Sequence, residues 1–270
     1  MTMFSNARRT PHAARRTPHL KPLIAGLLLA IPFSNAALSA TVVTPAPKPV
    51  YKIKLNDTGI TTCWTKSVQR GCPLKDYPGQ DAQYGRDKTQ RDFRDGDAGF
   101  SFTKISNIGK PLLATASKWN CVKDNITGLM WEGKTDDNGL HDMHGTYTWY
   151  EPNAKINGGD VGRQNGGACS LIGGCDTYDY VKAVNKAGWC GYKDWRMPTK
   201  QQLNNLTVLH LFGLPLDPSY FPEENISAVW SSSPLARYSD SAWIVDFSYG
   251  GDYIYPKSYG NQVRLVRSGQ

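Results

Sequence analysis

The 270-residue chain carries 31 Lys and Arg against 23 Asp and Glu, a net charge of +8. Five of the basic residues fall in the first 36 positions, which hold no acid, so the remaining 234 residues carry 26 basic against 23 acidic side chains, or +3. That near balance removes the main support for nucleic-acid binding, which needs a concentrated basic footprint, and no later stretch is long and apolar enough to be an integral membrane segment.

Residues 1–36 read as a secretory signal peptide. Basic Arg8, Arg9, Arg15, Arg16 and Lys21 precede an apolar run at 23–33, and the small residues Ser34, Asn35 and Ala36 follow it. The run is too short to cross a bilayer as a helix. Twin arginines also mark folded-state export, but Pro18 and His19 fit that pattern poorly. No Cys precedes Cys63, so the leader offers none for a lipid anchor. Residues 37–50, with Pro45, Pro47 and Pro49, read as an extended spacer. The location expected is therefore outside the cytoplasm: periplasmic, cell-surface or secreted.

Past the leader there are six cysteines: Cys63, Cys72, Cys121, Cys169, Cys175 and Cys190. An even count in an exported chain favours disulfides. Fifteen pairings are open to six thiols. Cys63 with Cys72 and Cys169 with Cys175 are close in sequence and bracket turn-rich segments, which leaves Cys121 with Cys190. Zinc is the rival reading, and it needs close thiolate pairs of the Cys-x-x-Cys kind that are absent here.

Gly, Asn, Asp, Ser and aromatic residues are spread along the chain from Tyr51, and long helical periodicity is nearly absent. Two helices are predicted. The first follows Asp176-Thr177 and runs to about Ala187, with Tyr180, Val181 and Val184 on one side and Gly188 placed to stop it. The second begins after Thr199, where Thr199-Lys200-Gln201-Gln202 has the form of a capping box, and Leu203, Leu206 and Leu209 or His210 supply its apolar face. Strands are predicted at 229–231, at 242–247 with Trp243, Val245 and Phe247 on one face, at 253–255 after a turn at 249–252, and at 263–266. The fold class expected is α+β, with two short helices and many short antiparallel strands stapled by disulfides.

Six motifs occur in an order that resembles the Lcl C-terminal domain family, a bacterial family of unknown function named after a collagen-like adhesin. They are Trp119 to Asn125, Thr127 to Glu132, Tyr147 to Tyr150, Gly188 to Thr199, Trp230 to Pro234 and Val263 to Arg267. The resemblance covers about residues 117–270, and Asp57-Thr58-Gly59 with the segment Pro78 to Gly85 is similar to the N-terminal extension of many members, placing that extension at 51–116. The Arg196-Met197-Pro198-Thr199 lead-in to a helix is similar to one in the formylglycine-generating-enzyme group, so the resemblance implies a C-type-lectin-like mixed fold that presents variable loops. The collagen-like stalk of the founding adhesin is absent, so trimerisation is not implied. The basic surface through which that adhesin is thought to hold sulfated glycans is not evident at +3.

No catalytic constellation, cofactor motif or metal set is assigned. His141 and His144 lie in a Gly- and Asp-rich loop that reads as solvated, without the helical His-x-x-x-His geometry of a zinc site. His210 reads as a packed or partly exposed helix residue. The loop acids Asp136, Asp137 and Asp142 fail the EF-hand pattern, since Lys134 occupies its first position. Glu151-Pro152-Asn153 spells a calcium- and sugar-binding tripeptide of C-type lectins in the wrong place, and reads as a turn. The Asn-x-Ser/Thr matches at Asn125, Asn205 and Asn225 matter only in a eukaryotic secretory route.

The segment 237–261 holds Tyr238, Tyr249, Tyr253, Tyr255 and Tyr259 among small polar residues. That is the composition of a recognition surface, where rigid aromatic area comes at low entropy cost. With Asp252 and Asn261 it is the expected ligand-binding site; the alternative is that Tyr merely suits half-buried pleats. The function expected is non-catalytic, adhesin-like binding of a glycan or protein at the bacterial envelope. The rivals are an envelope enzyme, for which Glu132 and Glu151 would have to face one another across a cleft, and a structural component of a surface assembly.

Overall fold

A computed structural model describes residues 54–89, 94–209, 211, 216–222 and 228–268. The expected leader and spacer, His210 and Asn225 lie outside them. In chain order the elements are β1 (Cys63–Trp64), β2 (Gln69–Arg70), α1 (Gly85–Thr89), β3 (Phe102–Ile105), β4 (Cys121–Asp124), β5 (Leu129–Glu132) and β6 (Tyr147–Thr148). Then come α2 (Thr177–Ala187), α3 (Lys200–Asn204), β7 (Ala228–Pro234), β8 (Ser241–Asp246), β9 (Gly251–Pro256), β10 (Gly260–Asn261) and β11 (Val266–Ser268). The architecture is mixed α+β, as the composition and periodicity indicate.

All strand pairs are antiparallel among the described residues. One sheet has the order β11-β5-β4-β3, a second β7-β8-β9, and two further pairs join β1 to β2 and β6 to β10. The family-like motifs are thus interleaved: the last strand of the chain lies against β5, and β3, from the segment expected as an extension, closes the far side of the same sheet.

Two hydrophobic cores form, and neighbouring residues divide between them. Val122, Trp131, Val229, Val245 and Val266 belong to one; Cys121, Met130, Trp230, Ile244 and Leu265 belong to the other. Successive strand residues point to opposite faces, so both faces of these sheets are covered. This corrects the one-sided reading of 242–247: Ala242 and Ile244 are as deeply buried as Val245, whereas Trp243 is only partly covered.

Both helices form where their caps stand. The Asp176 side chain accepts from Asp179 N–H at the start of α2, and Gly188 ends the helix at φ +71°, a left-handed conformation that glycine adopts without strain. Thr199 accepts from Gln202 N–H while the Gln202 side chain accepts from Thr199 N–H, a complete capping box. α3 then stops at Asn204, earlier than the apolar spacing indicates. Leu206 and Thr207 continue as turns, Leu206 is buried, and Leu209 is half exposed with its N–H donated to Thr58 O. Tertiary hydrogen bonds meet the helix at its end, where the Asn56 N–H and side-chain amide donate to Asn205 Oδ1 and O.

All three cysteine pairs form: Cys63–Cys72, Cys121–Cys190 and Cys169–Cys175, with no free cysteine. The longest closure spans 69 residues and ties β4 to the turn after α2. The adjoining motif accounts for itself physically. Trp195 is buried with its indole N–H on Trp189 O, Asp194 takes two hydrogen bonds from the Arg267 guanidinium at 2.7 and 3.1 Å, and Arg196 pairs with Val266 in an isolated bridge. No helix among the described residues is long and apolar enough to cross a membrane.

Candidate functional site

β9 is the terminal strand of its sheet, paired on one side to β8 in the register Tyr253↔Ile244 and Tyr255↔Ala242. Its inner partners are core residues, yet Tyr253, Ile254 and Tyr255 are all exposed and none of them belongs to either core. Tyr253 and Tyr255 share one face by strand alternation. Tyr255 meets Tyr259 edge to face, with ring centroids 6.0 Å apart. Tyr249, in the β8–β9 turn, is 83% exposed, and Tyr238, in the β7–β8 turn, is 58% exposed. Tyr253 and Tyr255 therefore lie on β9, Tyr249 and Tyr259 in the turns that flank it, and Tyr238 in the β7–β8 turn of the same sheet.

Asp252 and Asn261 differ from them. Asp252 pairs with Lys200 Nζ at 2.7 Å, and that ammonium also sits 3.9 Å from the Trp243 ring centre, pinning the start of β9 to α3. Asn261 is buried, paired in β10 with Tyr147 of β6, and is not part of the exposed edge.

Sequence reasoning did not find the neighbouring cleft. A cleft of about 330 Å³ lies among Trp149, Tyr150, Ile156, Tyr178, Arg196 and Met197, and Tyr150 and Tyr178 pack edge to face in its lining. One wall is held by Lys257. This ammonium is almost fully buried, donates to Asn157 O at 2.8 Å and Asp160 O at 2.6 Å, and lies 4.2 Å from the Trp149 ring centre. Burial pushes its pKa below the ordinary lysine range, against the Asp160 and Asp240 charges. Replacing Lys257 with Met strands both carbonyls. We expect a loss of about 2 kcal/mol and faster amide hydrogen exchange at 157–162, read by mass spectrometry; unchanged exchange there would remove Lys257 from this role.

Beneath the surface Glu132 is fully buried. Its Oε1 is 3.2 Å from Lys134 Nζ and 2.8 Å from His141 Nδ1 and accepts from the Tyr180 hydroxyl, while Oε2 accepts from Leu265 N–H at 2.8 Å. Burial pushes this carboxyl up, but the Lys134 charge, His141 and the Tyr180 hydroxyl outweigh it and hold it at about 2. The buried Arg264 donates to Glu132 O at 2.6 Å. Glu132 has no exposed surface, so it does not face Glu151 across a cleft.

The solvated-loop reading of His141 is corrected in the same place. The ring is buried, stacked on Trp189 at 3.6 Å and bound to Glu132. The loop acids close turns: Asp142 accepts from the N–H groups of Asp137, Asn138 and His144, which satisfies both its oxygens. Glu151 and Asn153 likewise accept from Asn153 N–H and Lys155 N–H, as the turn reading of that tripeptide requires.

The model of the Lcl C-terminal domain matches residues 120–267, which takes in β4 through most of β11, the tyrosine edge, the cleft and the Glu132 cluster. Among curated proteins none matches the chain. The chain belongs to the Lcl C-terminal domain family.

Proposed function

We propose that this protein is an exported, non-catalytic binding module that recognises a glycan or protein ligand at the bacterial envelope through the edge formed by β9 and its turns. The observation that carries the reading is the exposure of Tyr238, Tyr249, Tyr253, Tyr255 and Tyr259 on elements whose inner neighbours are locked in a two-core frame. A monomeric domain gains nothing in stability from exposed tyrosines, whereas a recognition surface gains wide, rigid contact area from them. Three closed disulfides fit an oxidising compartment and supply no thiol nucleophile. The carboxylate that an envelope hydrolase would have to present, Glu132, is sealed inside the frame.

The test is a glycan and protein array probed with the oxidised chain lacking residues 1–36, beside its Tyr253→Ala/Tyr255→Ala variant. We expect at least one ligand whose affinity falls tenfold or more in the variant, with cooperative thermal unfolding retained because neither side chain belongs to a core. Ligands bound equally by both proteins would reject this surface.

A further inference from the structure

The motifs Asp57-Thr58-Gly59 and Gln80-Asp81-Ala82-Gln83-Tyr84-Gly85 lie outside the matched family domain, and neither the tyrosine edge nor the cleft uses them. The fold brings them together. One carboxylate oxygen from each of Asp57, Asp81 and Asp87 lies within 4.8 Å of the others. We propose that Asp57, Asp81 and Asp87, with the Thr58 hydroxyl, form a calcium-binding site in the segment preceding the family domain.

Proximity of acids alone does not make a site. The second observation is Asp87 itself: the residue has no exposed surface, and its Oδ1 is buried without any hydrogen-bond partner. An ionised oxygen left in that condition is costly unless a proton or a cation compensates it. None of the three carboxylates makes an ion pair among the described residues, although Arg86 is adjacent in sequence to Asp87. The Arg86 guanidinium turns away to donate to Gly99 O and Leu55 O.

The Thr58 hydroxyl sharpens the deficit. Asp81 Oδ2 and Asp87 Oδ2, the latter at 3.1 Å, both stand at hydrogen-bond distance from Thr58 Oγ1. One hydroxyl has a single proton to donate, so it cannot fully satisfy both carboxylates, whose like charges repel. A divalent ion at the centre would remove the repulsion and convert the hydroxyl to a ligand.

The donor set selects the ion. Only carboxylate and hydroxyl oxygens converge, which suits a hard cation and not zinc or copper. They come from one loop, a 3-10 turn at Asp81–Gln83 and α1, with no octahedral arrangement imposed, which suits calcium over magnesium. Two glycines keep the approach open. A Cβ on Gly85 would fall 2.3 Å from Asp57 Oδ2, and one on Gly99 would fall 2.5 Å from Asp57 Cβ. An extracellular module of this kind binds calcium at about 10⁻⁴–10⁻³ M.

The experiment is equilibrium dialysis of the chain lacking residues 1–36 against radiolabelled calcium chloride, with thermal unfolding recorded in calcium and in EDTA. One saturable calcium per chain and a higher midpoint in calcium are expected. Asp81→Asn is the decisive variant, because Asp81 is exposed and its loss does not threaten folding. It should weaken binding at least tenfold and abolish the calcium-dependent rise, with an EDTA midpoint no lower than that of the unchanged chain because one repelling charge is gone; Asp87→Asn should behave alike in binding. Absence of saturable calcium at millimolar concentration overturns the proposal. So does undiminished binding in Asp81→Asn, which would move the ion elsewhere, or displacement of calcium by magnesium at equal concentration.

Discussion

Glu132→Ala should lower the unfolding free energy by about 3–5 kcal/mol, the cost of breaking a buried ionic group from one side. The carboxylate is fully buried and accepts from four donors: Lys134, His141, Tyr180 and the Leu265 amide. Truncation leaves the Lys134 ammonium buried beside a cavity and frees the amide of Leu265, the residue just before β11, from β5. Glu132→Gln keeps the volume but not the charge, so its loss should be smaller yet of the same sign. Urea unfolding at pH 7 measures both, and a loss below about 1 kcal/mol for the alanine variant would contradict the cluster's structural role.

The same group sets an acid limb. Its folded pKa of about 2 lies below the ordinary 4.5. The stabilisation is therefore complete above pH 4.5 and is lost as pH falls towards 2, amounting to about 3 kcal/mol. Asp217, pushed up by burial, acts with the opposite sign, so the informative quantity is the difference between the native chain and Glu132→Gln. That difference should shrink steadily from pH 5 to pH 2; a constant difference would show that the carboxylate charge is not what the cluster holds.

The second large effect belongs to Cys121–Cys190. Both cysteines are fully buried, and their bridge closes 69 residues, against 9 for Cys63–Cys72 and 6 for Cys169–Cys175. Loop-closure entropy in the unfolded chain then gives about 4 kcal/mol for the long bridge and about 2–3 kcal/mol for each short one. Paired Cys→Ala variants, unfolded in urea under oxidising conditions, should follow that order. A larger loss at Cys169–Cys175 would mean that native-state packing, not chain entropy, governs the ranking.

What the sequence made legible follows the range of the interactions. α2 is written locally: Asp176, Thr177 and Gly188 each act within one turn, and both its ends are where they indicate. The disulfides could be read from parity and spacing because two pairs were close enough to leave a single remainder. α3 begins at its capping box but ends at Asn204, beside Asn205, which accepts two hydrogen bonds from Asn56, a contact across 149 residues that no local pattern reveals. Strand faces failed for a related reason, since alternation identifies a buried face only when the other face is wet. Here Trp230 and Val229 both enter cores.

His141 was misread because a loop rich in Gly and Asp signals solvent, and its partner Glu132 lies across the fold. A signal existed in Leu-Met-Trp-Glu: a carboxylate ending an apolar strand has to find a buried donor. The tyrosines were visible as composition, but their exposure follows from β9 being a sheet edge, which only the topology supplies. Asn261 was grouped with them by nearness in sequence and is buried by its pairing with Tyr147.

Ligand contact should fall on the β9 edge of a rigid frame. Hydrogen-exchange mass spectrometry of the oxidised chain, with and without a ligand identified on the array, tests this directly. Protection is expected to be concentrated in 249–259, with little change in the cleft at 149–156 and 177–181. Protection confined to the cleft, with the tyrosine edge exchanging as in the free protein, would contradict it.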